Sequence, residues 1–198
     1  MFGPPSASQG AGSNDKNLAP STDSGPDREG LGRSHGGLTT KVHLAADRLA
    51  RPIARVTTGG HRHDAVMFTA VLAAIHIARP GPGRPRTRPG HVLADKAYSS
   101  RAIRGVLRRR AITATIPEKR DQQAHRARRG RKGGRPPAFD AQRYRDRNTA
   151  ERAINKLKGH RGFATRYDKR RNIYQGTIDV ASIRIWLRNP VQDLQDRP

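Results

Sequence analysis

Two carboxylates stand where they could take part in phosphoryl chemistry. Glu151 shares one stripe of a predicted helix with Tyr144, Arg147 and Lys158, at spacings of three, four and seven. At about 100° per residue these four fall within an arc of roughly 60°. Ala150, Ala153, Ile154 and Leu157 form the adjoining apolar face, so Glu151 sits at the edge between core and solvent, flanked by cations. Salt-bridge lacing of an exposed helix is the commoner role for such charges. Asp95 closes the apolar run Val92-Leu93-Ala94, just before a second predicted helix. Residues at the carboxyl ends of strands in α/β sheets face the ligand crevice. A strand terminator or a partner for Lys96 would look the same. The two carboxylates taken together say more. Hard divalent cations such as Mg²⁺ take carboxylate oxygens. A pair of such ions activates the attacking oxygen and stabilises the leaving one. Converging carboxylates repel, and a bound cation makes them tolerable.

The elements that would position these groups follow from periodicity. Residues 1–37 are poor in apolar side chains and rich in Gly, Pro and Ser, and read as a disordered or loop segment. Structure is expected from Leu38. Two β-rich runs flank Asp47-Arg48 and end at Thr58-Gly59-Gly60, predicting a hairpin. His63 to Ile77 has helical spacing through Val66, Ala70, Leu72 and Ala73, with Asp64 in its first turn. A Pro/Gly/Arg loop, Arg79 to Gly90, precedes the Val92 strand. Ser99 or Ser100 caps a helix with Ile103, Val106 and Leu107 on its inner face. Ile112 to Ile116 reads as a strand. A long helix opens at Asp140, an N-cap candidate, with Phe139 stapled onto Tyr144. A last helix spans about Ile173 to Leu187, and 189–198 is a tail. Strands before and between helices predict an α/β domain over 38–188.

Charge bounds the partners. The 198 residues hold 40 Lys+Arg against 16 Asp+Glu, a formal +24. A GC-rich genome explains the choice of Arg over Lys but not the scarcity of acids. Such an excess draws polyanions, above all DNA. Between Glu118 and Ala138 a Gly-rich basic stretch has almost no apolar residues and is expected to be a DNA-gripping loop, through Lys119, Arg126, Arg128, Arg129, Arg131, Lys132 and Arg135. No apolar run approaches the ~20 residues that span a bilayer. A cytoplasmic, nucleoid-associated protein with no membrane contact is expected. The chain has no cysteine, which excludes disulfides and Cys-based zinc sites. His61-Arg62-His63-Asp64 is better read as structural than as a metal site.

At these residues a family resemblance emerges. Tyr144 to Lys158, YRDRNTAERAINKLK, fits the Y-x-x-R-x-x-x-E-x-x-x-x-x-x-K signature of DDE transposases from bacterial insertion sequences. Val92 to Arg104, Gly32 to Asp47 and Arg161 to Lys169 also resemble segments of the insertion-sequence-four/five group, in order along the chain. The resemblance implies an RNase H-like fold and DNA cleavage and strand transfer by an Asp, Asp, Glu triad holding two Mg²⁺ ions. Asp95 would be the second Asp and Glu151 the Glu, both metal ligands. Tyr144, Arg147 and Lys158 would assist, with Arg147 and Lys158 touching DNA phosphate.

One departure shapes the expectation. In the family the first Asp lies on a strand before the hairpin, and nothing before Gly32 here resembles one. Asp15, Asp23 and Asp27 sit in Gly/Pro/Ser-rich sequence, and Asp47 reads as a turn residue. A partial, N-terminally truncated domain lacking its first strand is therefore expected, inactive alone and holding Mg²⁺ weakly. Its open sheet edge would invite pairing with a second transposase chain or the missing N-terminal portion. The competing reading is a non-catalytic basic DNA-binding protein that regulates a full-length enzyme. A ribosome-associated protein is supported by charge alone.

Overall fold

A computed structural model describes residues 29–34 and 37–188. Its centre is the expected hairpin, β2 (Gly37–Ala46) and β3 (Pro52–Gly59), antiparallel with Val42 opposite Thr57 and Leu44 opposite Arg55. Asp47 closes the turn. Its Oδ1 accepts from Leu49 N at 3.0 Å and Arg51 N at 2.8 Å, and its Oδ2 accepts from Arg51 Nε at 2.6 Å. Structure starts before Leu38, contrary to expectation. A short strand, β1 (Gly32–Ser34), pairs antiparallel with the start of β2, Gly32 opposite Thr39. Ladder pairing uses backbone groups, so a strand this short forms without the apolar side chains that sequence patterning detects. The rest of the expectation for 1–37, and that for 189–198, lies outside the described residues.

After β3 come α1 (Asp64–Ala73), β4 (His91–Leu93), a 3-10 turn (Lys96–Tyr98), α2 (Arg101–Arg109) and β5 (Thr113–Thr115). β4 and β5 are parallel, Val92 opposite Ala114, with α2 as their crossover. The order is β1-β2-β3 in one sheet and β4-β5 in another. No strand among the described residues pairs with the β2 edge beyond Thr39 on the side away from β3.

Then come α3 (Arg120–Arg128), a 3-10 turn (Gly130–Gly133), α4 (Ala141–Tyr144), a 3-10 turn (Arg145–Asn148), α5 (Thr149–Lys158), α6 (Arg161–Thr165) and α7 (Arg171–Leu187). Two expectations are corrected here. The basic stretch is mostly helical rather than a loop. Lack of apolar residues excludes a core, but Arg, Gln and Ala are good helix formers, and Asp121 in the first turn suits the helix dipole. The long helix from Asp140 is interrupted by the 3-10 turn at Arg145–Asn148, a stretch with Asp and Asn, which prefer turns and caps. Its opening is as read: Asp140 Oδ1 accepts from Arg143 N at 3.0 Å, and the Phe139 and Tyr144 rings meet at 5.2 Å.

The period-two alternation of β2 places the hairpin between two helical layers. Ala54, Leu72, Ile75, Ile103, Leu107, Ile112 and Ile116 form one core, against which Ala45 packs. Leu157, Phe163, Tyr174, Ile178, Ala181 and Ile185 form the other, against Val42 and Leu44. Val66, one of the apolar residues whose spacing predicted α1, is exposed. The Ala150 side of α5 is exposed too, while Ala153 and Leu157 are fully buried. Trp186 ties α7 to the hairpin, donating from Nε1 to Pro52 O at 2.7 Å, with the Arg51 guanidinium 3.9 Å from its ring. The whole is a mixed α/β domain, and no helix among the described residues is long and apolar enough to cross a membrane.

Candidate active site

Asp95 lies two residues past the end of β4 and caps the 3-10 turn that follows. Its Oδ1 accepts from Lys96 N at 2.5 Å. Asp95 thus follows a strand's carboxyl end, as the sequence predicted, and parallel pairing sets that end beside the carboxyl end of β5. A second carboxylate acts on the same residue, Tyr98. Asp64 opens α1, its Oδ1 3.1 Å from His43 Nδ1 and 3.5 Å from Lys41 Nζ. The Tyr98 phenol lies in the field of both. Its pKa is pushed up to about 12, first by burial, then by Asp64 and Asp95.

His43 fixes this corner from the hairpin. Its ring is buried, with Nε2 2.8 Å from Thr58 Oγ1. Burial lowers its pKa more than the Asp64 carboxylate raises it, and Lys41 lowers it further. Sequence reasoning passed over His43, Asp64 and Tyr98. The signal lay in the His61-to-Asp64 run, read as structural. That reading holds for His63, whose Nδ1 accepts from Ala65 N at 3.2 Å to cap α1. It missed that alternation in β2 brings Lys41 and His43 to Asp64.

Glu151 stands in the first turn of α5 and its side chain is 59% exposed. Arg147 Nη2 lies 3.0 Å from its Oε1, and the same guanidinium stands 5.8 Å from the centre of the Tyr144 ring. Three of the signature residues thus touch in series although the helix is broken between them. Lys158, the last residue of α5, is exposed. A contact between Arg143 Nη1 and His91 Nδ1 at 3.4 Å bridges from α4 to β4, the strand that leads to Asp95.

The basic helix is anchored beside Asp95. Ser99 Oγ donates to Gln122 Oε1 at 2.9 Å, and Gln122 Nε2 returns a bond to Ser99 O. Arg104 Nη2 donates to Ser99 Oγ at 3.1 Å and to Ile116 O at 2.8 Å. Arg126 turns inward and pairs with Glu118. Lys119, Arg128, Arg129, Arg131, Lys132 and Arg135 are exposed.

The donor chemistry of Asp95 and Glu151 suits a hard divalent cation, but their arrangement falls short of a metal centre. Asp95 is engaged by its own turn and Glu151 by Arg147. Among the described residues no group of three or more His, Cys, Asp or Glu side chains could hold a metal ion.

Comparison with known proteins matches the chain to a family. The family described as "Transposase DDE domain" matches residues 19–181. A protein of Brucella ovis named as a transposase for insertion sequence element IS6501 is 27% identical over 151 residues, covering 76% of this chain and 100% of the relative. A protein of Burkholderia cepacia named as a transposase for insertion sequence element IS402 is 32% identical over 83 residues, covering 42% of this chain and 39% of that protein. No solved structure matches the chain. Carrying that domain over most of its length, the chain belongs to the DDE transposases of insertion sequences, proteins of DNA transposition.

Proposed function

We propose that this chain handles DNA through an RNase H-like transposase domain in which Asp95 and Glu151 are the carboxylates of the strand-transfer site. The observation that carries this reading is the position of Asp95, just past the carboxyl end of a parallel strand and in the field of the Tyr98 phenol, which Asp64 also reaches. An antiparallel hairpin followed by a parallel β-α-β unit supports the fold assignment. The family uses a divalent metal. Two carboxylates that the described residues do not gather into a three-ligand set would bind it weakly, because ligand number and charge set affinity. Arg147 holds Glu151, and Arg147 and Lys158 take the DNA backbone on the same stripe. Cleavage by this chain alone is slow.

Mn²⁺ titration of the full chain, followed by electron paramagnetic resonance, tests the assignment. Weak binding that drops in both Asp95→Asn and Glu151→Gln is the expected result. Mn²⁺ binding unchanged in both variants would sink it.

A second reading, a DNA-binding protein without catalysis, is favoured by the exposed cations of α3 and the 3-10 turn after it. Steeply salt-dependent duplex binding serves both readings. Nicking of supercoiled DNA in Mn²⁺, lost in Asp95→Asn, separates them.

A further inference from the structure

The carboxylates of Asp95 and Glu151 belong to different cores. Asp95 follows β4, whose Val92 packs against the core of Ile103, Leu107 and Ile116. Glu151 stands on α5, whose Leu157 packs with Phe163, Tyr174 and Ile178. The hairpin lies between the two. One polar contact crosses from the segment that leads to Glu151 to the strand that leads to Asp95. Arg143 Nη1, on α4, is 3.4 Å from His91 Nδ1, on β4. Among the described residues it is the one hydrogen bond that joins residues 134–158 to residues 90–116. The other polar and aromatic side-chain contacts of α4 there are local. Asp140 caps the helix and pairs with Arg143 Nε at 3.3 Å, and the Tyr144 ring meets Phe139 and Arg147.

His91 sits in a chain of donors and acceptors. Its Nδ1 is 2.8 Å from Thr113 Oγ1 and its Nε2 is 3.1 Å from Thr115 Oγ1, both on β5. Thr113 Oγ1 also stands 2.8 Å from Gly90 O. A hydroxyl has one proton to give, and a guanidinium only donates. Arg143 therefore bonds His91 only while Nδ1 holds a lone pair. In that state Nε2–H donates to Thr115, and the Thr113 hydroxyl is free to donate to Nδ1. Gly90 O keeps a partner, the Thr113 backbone N–H at 3.3 Å. Once Nδ1 is protonated it donates to Thr113, whose hydroxyl turns to Gly90 O. Every group of the chain is then satisfied without Arg143, and the charged ring repels the guanidinium. We propose that His91 and Arg143 are positioning residues: their contact docks the segment leading to Glu151 on the strand leading to Asp95, and protonation of His91 releases it. The proposal rests on the strand-transfer reading of the two carboxylates. The charged groups that act on the ring are Arg143 and Asp140, both from the α4 segment, while β5 presents the two hydroxyls. Burial first and Arg143 second hold the ring below its ordinary pKa of 6.5, and Asp140 opposes them more weakly. The contact is thus made at neutral pH and lost as acid is added.

The chain has no cysteine, so nitroxide labels on Lys96→Cys and Arg152→Cys report the distance between the two segments. Both positions are exposed, and each adjoins a carboxylate without replacing it. Pulsed dipolar electron paramagnetic resonance on the nuclease-treated full chain should give one narrow distance at about pH 8 and a distribution about twice as wide at about pH 5. Arg143→Ala, at an exposed side chain, should give the wide distribution at both pH values. His91→Leu should do the same. His91→Asn places an amide oxygen near the site of Nδ1 that accepts from Arg143 and takes up no proton, so it should stay narrow at both. A histidine that only packs would show neither the pH dependence nor the rescue by Asn. A distribution left narrow by Arg143→Ala overturns the proposal. So does a parent chain whose distribution is the same at both pH values, or a His91→Asn chain that widens in acid as the parent does. The measurement uses neither metal nor DNA cleavage. It can fail while Asp95 and Glu151 remain the metal carboxylates, and Mn²⁺ binding that ignores their substitution would leave the distance result standing.

Discussion

Arg147 Nη2 stands 3.0 Å from Glu151 Oε1, one turn earlier along the chain, and neither side chain is buried. An exposed pair at this spacing contributes only about 0.3–0.5 kcal/mol to stability. Conversion of Glu151 to Gln should therefore change the free energy of unfolding in urea by less than about 1 kcal/mol. A loss of several kcal/mol would make Glu151 a structural carboxylate and remove the case for a functional one.

Leu157, on the same helix, is fully buried among Phe163, Tyr174 and Ile178. Leu157→Ala removes that packing and leaves a cavity, at a cost of about 2–5 kcal/mol. Trp186 is the only tryptophan, and it packs on Arg51 and Pro52 where α7 meets the hairpin. Its fluorescence in a denaturant titration is expected to report the destabilisation. A cost below about 1 kcal/mol would mean that this core is not formed as described.

Residues 149–158 were legible because the helix repeats apolar side chains on one face, and Ala153 and Leu157 do enter the core. Asp95 was legible because an apolar run stops at it. The corner formed by His43, Asp64 and Tyr98 was not, since those residues come from β2, α1 and the turn after β4. Their meeting depends on strand register and helix docking, which no local pattern encodes. The α3 helix was hidden for a different reason. Its hold on the fold is polar, through Gln122 to Ser99 and Arg126 to Glu118, and periodicity reads only apolar burial. The apolar stripe of α7 reads as ordinary core until the packing shows which of its two faces is covered.

The buried His43 ring makes stability depend on pH. Its pKa in the folded chain lies below the ordinary 6.5, chiefly because burial disfavours the charged form. Between the folded and unfolded values the unfolded chain binds more protons, so stability rises with pH across that window. The contribution is complete above the unfolded pKa and is lost as pH falls toward the folded one. Thermal unfolding midpoints should therefore fall between about pH 7.5 and 5, and the fall should be shallower in His43→Gln. His91 and His160 are lowered in the same direction and remain in both proteins, so the difference isolates His43. Parallel curves for the two proteins would refute this role.

Arg126 and its neighbours on the basic segment should part company in DNA binding. Arg128, Arg129, Arg131 and Lys132 are exposed on α3 and the turn after it, whereas Arg126 is committed to Glu118. Each phosphate contact contributes about 0.9 to the slope of log K against log salt on duplex DNA. Replacing the four exposed cations with Ala should make that slope shallower by about 0.9 for each that contacts a phosphate, weakening binding alike on unrelated sequences. Arg126→Ala should instead leave the slope nearly unchanged and loosen the helix, seen as faster amide exchange over residues 120–128 with the loss of its tie to Glu118. Fluorescence anisotropy over a salt series measures the first, and hydrogen exchange the second. An unaltered slope in the fourfold variant would move the DNA contact to another face of the domain.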